Sequence, residues 1–229
     1  MIKNLLLQPG NLKTMLKTKV KASSLSNLTD ARYFAAFEVN WLGFNLSAGD
    51  ADYCPPQTAA EIREWVDGVE IVAEFGIEGL DEIRPALDII RPDGVQVGMF
   101  ASSATIMALS REAQVFQEIV PDQPFNGRDL QILMDQNAAF VRYFLLNFDK
   151  AGISWQNIRN GHPFGPEVLQ GICEHYPVLL GLAMSPDEAL EALSQLPAQG
   201  LSIRGGSEEK TGFKSFDELD PLLEALSVP

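Results

Sequence analysis

The chain has 229 residues, 46% hydrophobic and 21% charged, with a formal net charge of -14. These fractions exclude disordered and collagen-like chains. The acidic balance argues against a partner that needs a general basic face, such as nucleic acid or an anionic membrane. A single α/β barrel of ~200 to 250 residues fits the length. Two cysteines, Cys54 and Cys173, are too few for a disulfide framework. With only His162 and His175 beside them there is no zinc spacing either. Reduced thiols and no metal or other cofactor are therefore expected. Near the N-terminus, Leu5-Leu6-Leu7 runs straight into Gln8-Pro9-Gly10. That triplet falls short of the ~7 to 15 apolar residues of a secretory signal and the ~20 of a membrane span. The expectation is a cytoplasmic protein with no membrane partner.

After a leader over 1–18, β-rich runs alternate with helix-period segments. Strand Val20–Ser24 precedes helix Asn27–Glu38, capped by Asn27 or Ser26. Trp41–Leu46 is followed by a helix from Pro56 to Val66, and Val69–Phe75 by Leu80–Ile90. Gly94–Val97 leads to Ser102–Leu109, and Val115–Val120 to Gly127–Gln136. Strand Val141–Leu146 is followed by a stretch broken at Gly161, Pro163 and Pro166, with a helix resuming over Glu167–His175. Pro177–Gly181 with Pro186–Leu196, and Gly200–Ile203 with Phe216–Leu226, complete the series.

Eight strand–helix units of ~26 residues predict a parallel sheet closed as a (βα)8 TIM barrel, one domain over 19–229. A doubly wound open sheet is the alternative, but no Gly-x-Gly-x-x-Gly follows the first strand. In a barrel the chemistry sits where strands run into their following loops. That directs attention to Ser23, Asn45, Phe75, Gln96 to Gly98, Asn147 to Lys150, Gly181 to Ala183 and Arg204 to Ser207. Arg204-Gly205-Gly206-Ser207 is a candidate anion site, in which backbone N–H groups form a nest and the guanidinium adds a bidentate donor. Lys21 shares a strand face with Ser23. Glu74, a charge inside the third strand, is its natural ion-pair partner, since a lone buried charge is too costly. His162 is a candidate acid or base in a loop, and Trp155 a core residue.

Val20-Lys21-Ala22-Ser23-Ser24-Leu25-Ser26, with Asp30-Ala31 on the first helix, resembles the opening of the phosphoribosylanthranilate isomerases of tryptophan biosynthesis. Their first strand reads Val-Lys-Ile-Cys-Gly-Leu-Thr. Trp41-Leu42-Gly43-Phe44 looks like their Ala-Leu-Gly-Phe, and Gly94-Val95-Gln96-Val97-Gly98 like their Val-Gln-Leu-His-Gly. Phe144-Leu145-Leu146-Asn147 looks like Leu-Leu-Leu-Asp, and Leu201 to Glu208, with Thr211-Gly212, like the final strand and loop. Five motifs in register span about 90% of the chain and imply the same barrel.

The resemblance also implies what has changed. The family's general base, a first-strand cysteine, is Ser23 here. Its general acid, a sixth-strand aspartate, is Asn147. The arginine that holds the anthranilate carboxylate aligns with Asp52, and the Gly-Gly after strand seven with Leu182-Ala183. A serine hydroxyl needs its own base to act as one, and an asparagine amide cannot deliver a proton. Asp149, on the same strand parity as Asn147, is a possible substitute acid. Three readings stand: a barrel that binds a small phosphorylated or carboxylated metabolite without catalysis, an enzyme of altered chemistry, and an isomerase using substitute residues. A monomer or homodimer is expected.

Overall fold

The computed structural model describes residues 15–121, 126–205, 208–210, 213–217 and 219–228. In chain order it contains β1 (Lys19–Leu25), α1 (Leu28–Ala36), β2 (Trp41–Asn45), α2 (Pro56–Arg63), β3 (Glu70–Glu74), α3 (Leu80–Ile90), β4 (Gly94–Val97) and α4 (Ser103–Leu109). These are followed by β5 (Gln114–Ile119), α5 (Gly127–Asn137), β6 (Tyr143–Asn147), α6 (Trp155–Arg159), α7 (Pro166–His175), β7 (Val178–Gly181) and α8 (Pro186–Gln195). The last elements are β8 (Gly200–Arg204), β9 (Glu208–Lys210), β10 (Phe213–Lys214) and α9 (Asp220–Leu226). Strands β1 to β8 pair in parallel, each with the next, and β8 closes on β1, so the expected TIM barrel is the fold.

Strand alternation separates two cores although nearly every strand residue is buried, as expected for a parallel sheet covered on both faces. Outward residues such as Ala22, Phe44, Val95, Val97 and Leu146 pack against the helices. Inward residues Trp41, Val72, Phe116, Tyr143, Leu145 and Leu179 fill the barrel. Trp41 meets Phe116 and Tyr143 at ring centroid distances of 5.4 and 5.0 Å. Gly94 leaves the space into which the Phe116 ring fits. Beneath this aromatic plug, Lys19 donates to the Tyr143 hydroxyl at 2.5 Å. The plug separates a polar group at the N-terminal ends of the strands, Lys19, Glu70 and Gln114, from the polar inward positions at their C-terminal ends.

Helix starts follow local capping chemistry. Asn27 accepts from Asp30 N, Ser102 from Thr105 N, and Ser185 from Glu188 N while Glu188 accepts from Ser185 N. Trp155 is fully buried, as its core assignment requires. Several boundaries differ from expectation. Val141 is not yet strand, because its N–H closes the turn after α5 on Asn137 O. The broken stretch of the sixth unit holds two helices, α6 and α7. Phe216 precedes the last helix, and its carbonyl accepts from Leu219 and Asp220 in the turn that leads into it. The β9–β10 hairpin carried no signal that was read in the sequence. Residues 15–17, the end of the expected leader, run against 226–228 through Lys17 N to Leu226 O and Val228 N to Met15 O, both 2.7 Å. Among the described residues no helix is long and apolar enough to cross a membrane.

Candidate active site at the barrel mouth

Each strand delivers one or two inward residues to the C-terminal mouth. On β1 these are Lys21 and Ser23. Lys21 is fully buried and forms an ion pair with Glu74, whose side chain is 5% exposed. Strand β2 makes room for this pair: a Cβ on Gly43 would overlap both the Glu74 carboxylate and the Lys21 ammonium. The second Glu74 oxygen accepts from Ser24 N at 2.9 Å. A register irregularity between Ala22 and Leu25, with Ser24 at φ 57°, turns that N–H inward. The expected Lys21–Glu74 pair is therefore present, with an additional backbone donor on its carboxylate.

Lys21 Nζ also donates to Ser23 Oγ at 2.7 Å, and Ser23 Oγ lies 2.6 Å from Ser202 Oγ. An ammonium has donors only. The Ser23 oxygen is therefore an acceptor from Lys21, and its single proton is left for Ser202 or a ligand.

Asn147, at the end of β6, has both amide poles in use. Its Nδ2 donates to Glu118 Oε1 at 2.7 Å, and its Oδ1 accepts from Lys150 N at 3.0 Å. Glu118 is buried at the end of β5, and its other oxygen accepts from Lys150 Nζ at 3.1 Å. Phe148 N and Asp149 N both donate to Gly181 O, so the segment after β6 is fastened to the end of β7. Asp149 itself is exposed. Its charge and that of Glu74 add to the influences that hold the Arg204 guanidinium above its ordinary pKa.

Arg204 forms an ion pair with Asp52, the residue aligned with the family's substrate-binding arginine. The hydrogen bond to Asp52, more than any other influence, holds the guanidinium above its ordinary pKa. The loop carrying Asp52 is shaped by Asn45, whose Nδ2 donates to Asp50 and whose Oδ1 accepts from Ser47 N. Gly205 packs against the carboxylate of Asp30: a Cβ there would come 3.0 Å from Asp30 Oδ2. Gly206 and Ser207, the rest of the expected anion nest, lie outside the described residues. Leu182 is buried and Ala183 exposed beyond β7. His162 sits in the loop after α6 with its N–H on Asn157 O. Among the described residues no group of His, Cys, Asp and Glu is arranged to hold a metal.

The mouth thus brings together Ser23, Asn147 and Arg204. It adds Glu118 and Ser202 to them as functional candidates, beside Gln96 at the end of β4. Each of its cations Lys21, Lys150 and Arg204 is matched to a carboxylate, Glu74, Glu118 and Asp52 respectively. Glu118 was legible in principle: it stands two residues after Phe116, on the inward parity, as a charge in an apolar strand. Ser202 had no signal beyond its parity with Arg204.

No family model matches the chain. It is similar to the N-(5'-phosphoribosyl)anthranilate isomerase of Syntrophus aciditrophicus, 25% identical over 219 residues that cover 91% of this chain and 87% of that protein. The phosphoribosylanthranilate isomerase of Thermotoga maritima superposes with a TM-score of 0.73 at 18% identity, covering 91% of this chain and 98% of that one. A further phosphoribosylanthranilate isomerase, solved with reduced 1-(o-carboxyphenylamino)-1-deoxyribulose 5-phosphate, gives a TM-score of 0.68 at 18% identity over the same shares. Sequence similarity across nine-tenths of the chain and the shared eight-stranded barrel agree in likening the protein to the phosphoribosylanthranilate isomerases.

Proposed function

We propose that the protein is a phosphoribosylanthranilate isomerase-like barrel that binds a small phosphorylated or carboxylated metabolite and does not carry out the family's acid–base rearrangement. The observation that carries this reading is the state of the two proton-transfer positions. Asn147 is an amide committed at both poles, and Ser23 is an acceptor from an ammonium. General acid and general base steps contribute roughly 10²- to 10⁴-fold each, so losing both removes on the order of 10⁴- to 10⁸-fold. The anionic group of the ligand belongs at Arg204, Gly205, Gly206 and Ser207, where it competes with Asp52 for the guanidinium. Expression in a tryptophan auxotroph lacking the isomerase tests the reading. No growth without tryptophan is expected, and growth comparable to that given by an authentic isomerase would overturn it.

One observation favours a second reading, an isomerase with substitute residues. The Glu118 carboxylate lies 2.7 Å from the amide at the acid position, so a proton carrier stands one strand away from the expected one. Asp149 is the other substitute acid, exposed just beyond the end of β6. Under this reading the chain supports growth, and Glu118→Gln abolishes it while Asp149→Asn tests the alternative carrier.

A further inference from the structure

We propose that the N-terminal end of the barrel carries a second ligand site, in which the Lys19 ammonium and the Tyr143 hydroxyl receive the carboxylate of a small organic acid. The site lies below the aromatic plug, at the far end of the barrel from the mouth, and is independent of what the mouth binds.

Lys19 opens β1. Its ammonium lies 5.9 Å from the ring centroid of Trp41 and 4.9 Å from that of Tyr143, and it donates to the Tyr143 hydroxyl. Two rings and a hydrogen bond thus hold it in place. Buried Lys21 is paired with Glu74, and half-buried Arg63 with Asp93. Half-buried Lys19 has no carboxylate within ion-pairing distance among the described residues. This is so although acidic residues outnumber basic ones by 31 to 17 in the chain. Glu70, at the start of β3, accepts instead from Trp41 Nε1 at 2.7 Å and from Gln114 Nε2 at 3.4 Å.

The unused donors converge. An ammonium has three donors and no acceptor. One goes to Tyr143, and the other two have no acceptor among the described residues. The Tyr143 oxygen accepts from Lys19, so its own proton has no acceptor there either. Tyr143 is 3% exposed, and buried polar groups are nearly always satisfied. An acceptor seated against the ammonium comes within reach of that proton. Asn40 adds a further donor: Val20 N holds its Oδ1 at 2.9 Å, which leaves Nδ2 as the open pole.

Lys19 and Asn40 line a cavity of about 510 Å³ together with Lys17, Glu38 and Gln199. Cavities of ~300 to 1,000 Å³ hold small molecules. Lys17 Nζ is tethered to Ala225 O at 2.9 Å. Two ammonium groups and one carboxylate leave this lining with one positive charge in excess. A singly charged carboxylate neutralises it, and its two oxygens can take the protons of Lys19 and Tyr143 as charge-assisted hydrogen bonds. A phosphate dianion brings one charge too many.

NMR titration of the full chain with acetate, with its neutral isostere acetamide and with inorganic phosphate, at constant ionic strength, tests this. Acetate is expected to shift the Lys19 and Asn40 side-chain resonances saturably, and to bind there about tenfold or more tightly than acetamide or phosphate, the effect of a hydrogen bond to a charged group. Lys19→Met should weaken acetate binding by about tenfold or more. Tyr143→Phe keeps the ring and removes the hydroxyl, and should weaken it by roughly three- to tenfold, the loss of one hydrogen bond. If Lys19→Met does not fold, Tyr143→Phe decides alone. A purely structural role for the two residues predicts lower unfolding midpoints with acetate affinity unchanged, and that result overturns the proposal. Acetate shifts confined to Arg204 and the mouth, or no saturable shift at all, also overturn it. Phosphate binding at Lys19 as tightly as acetate overturns the assignment to carboxylates.

Discussion

At the scale of single residues, the mouth is organised by charge matching. Lys21 and Glu74 are both buried, and removing one partner leaves the other without compensation. Lys21→Met should destabilise the fold by about 3–5 kcal/mol, whereas Lys21→Met with Glu74→Leu should come much closer to the parent protein. Urea unfolding of the three proteins measures this, and additive losses would contradict the pairing. The pairing was legible in the sequence because two charges sat at inward positions of apolar strands. Its third participant was not: Gly43 matters only for the side chain it lacks, which follows from the positions of two other strands. Arg204 repeats the lesson. As a lone arginine beside two glycines it read as an open anion ligand, and a residue 152 positions away changes that. Asp52→Asn should therefore strengthen binding of inorganic phosphate, and Arg204→Ala should weaken it by roughly 1.5–3 kcal/mol, the range for hydrogen bonds to charged groups. Phosphate affinity indifferent to both changes would remove Arg204 from the site. Restoring the family's residues should not restore its activity. Asn147→Asp sets a second carboxylate against Glu118, at the 2.7 Å contact now made by an amide, and two carboxylates so close do not both ionise. Ser23→Cys with Asn147→Asp is expected to stay more than tenfold below an authentic isomerase in turnover, a gap of ~1.4 kcal/mol in barrier.

At the scale of elements, the loops after β3 and β4 are clasped together at the rim. Gly98 N donates to Gly76 O at 3.1 Å, and a Cβ on Gly98 would collide with that carbonyl. Gly98→Ala must push the two loops apart, and overpacking of this kind costs about 1–3 kcal/mol. A variant with unchanged stability would show that the loops move freely. Element identity was readable from periodicity and capping residues, which act within a few positions. Element ends were less so: where β6 starts and where the last helix begins depend on the turns before them. The inward parity of Glu118 could be read from Phe116, but its contacts with Asn147 and Lys150 needed the register of β5 against β6.

At the scale of the molecule, repetition made the barrel legible. Eight strand–helix units allow few closed arrangements, and five family motifs in order fixed the register of the whole. Two buried thiols report on the integrity of this closed structure. Burial pushes the Cys54 thiol up to about 11 and the Cys173 thiol up to about 12. The folded state binds both protons more tightly than the unfolded chain, in which a thiol titrates at roughly 8.5. Their contribution to stability is therefore complete below about that pH and is lost as the pH rises toward the folded values. Neither thiol should react with a maleimide at neutral pH except through unfolding. Rapid labelling of either in native protein would show an opening that the packing does not allow.

The central claim is that a family barrel has kept its frame and lost its proton-transfer pair. Steady-state turnover of N-(5'-phosphoribosyl)anthranilate by the unmodified protein tests it most directly. The expected kcat/KM is on the order of 10⁴-fold or more below that of an authentic isomerase under the same conditions, the deficit of missing acid and base steps. A value within about tenfold of that enzyme, ~1.4 kcal/mol in barrier, would contradict the claim and return Glu118 and Asp149 as the groups that carry the protons.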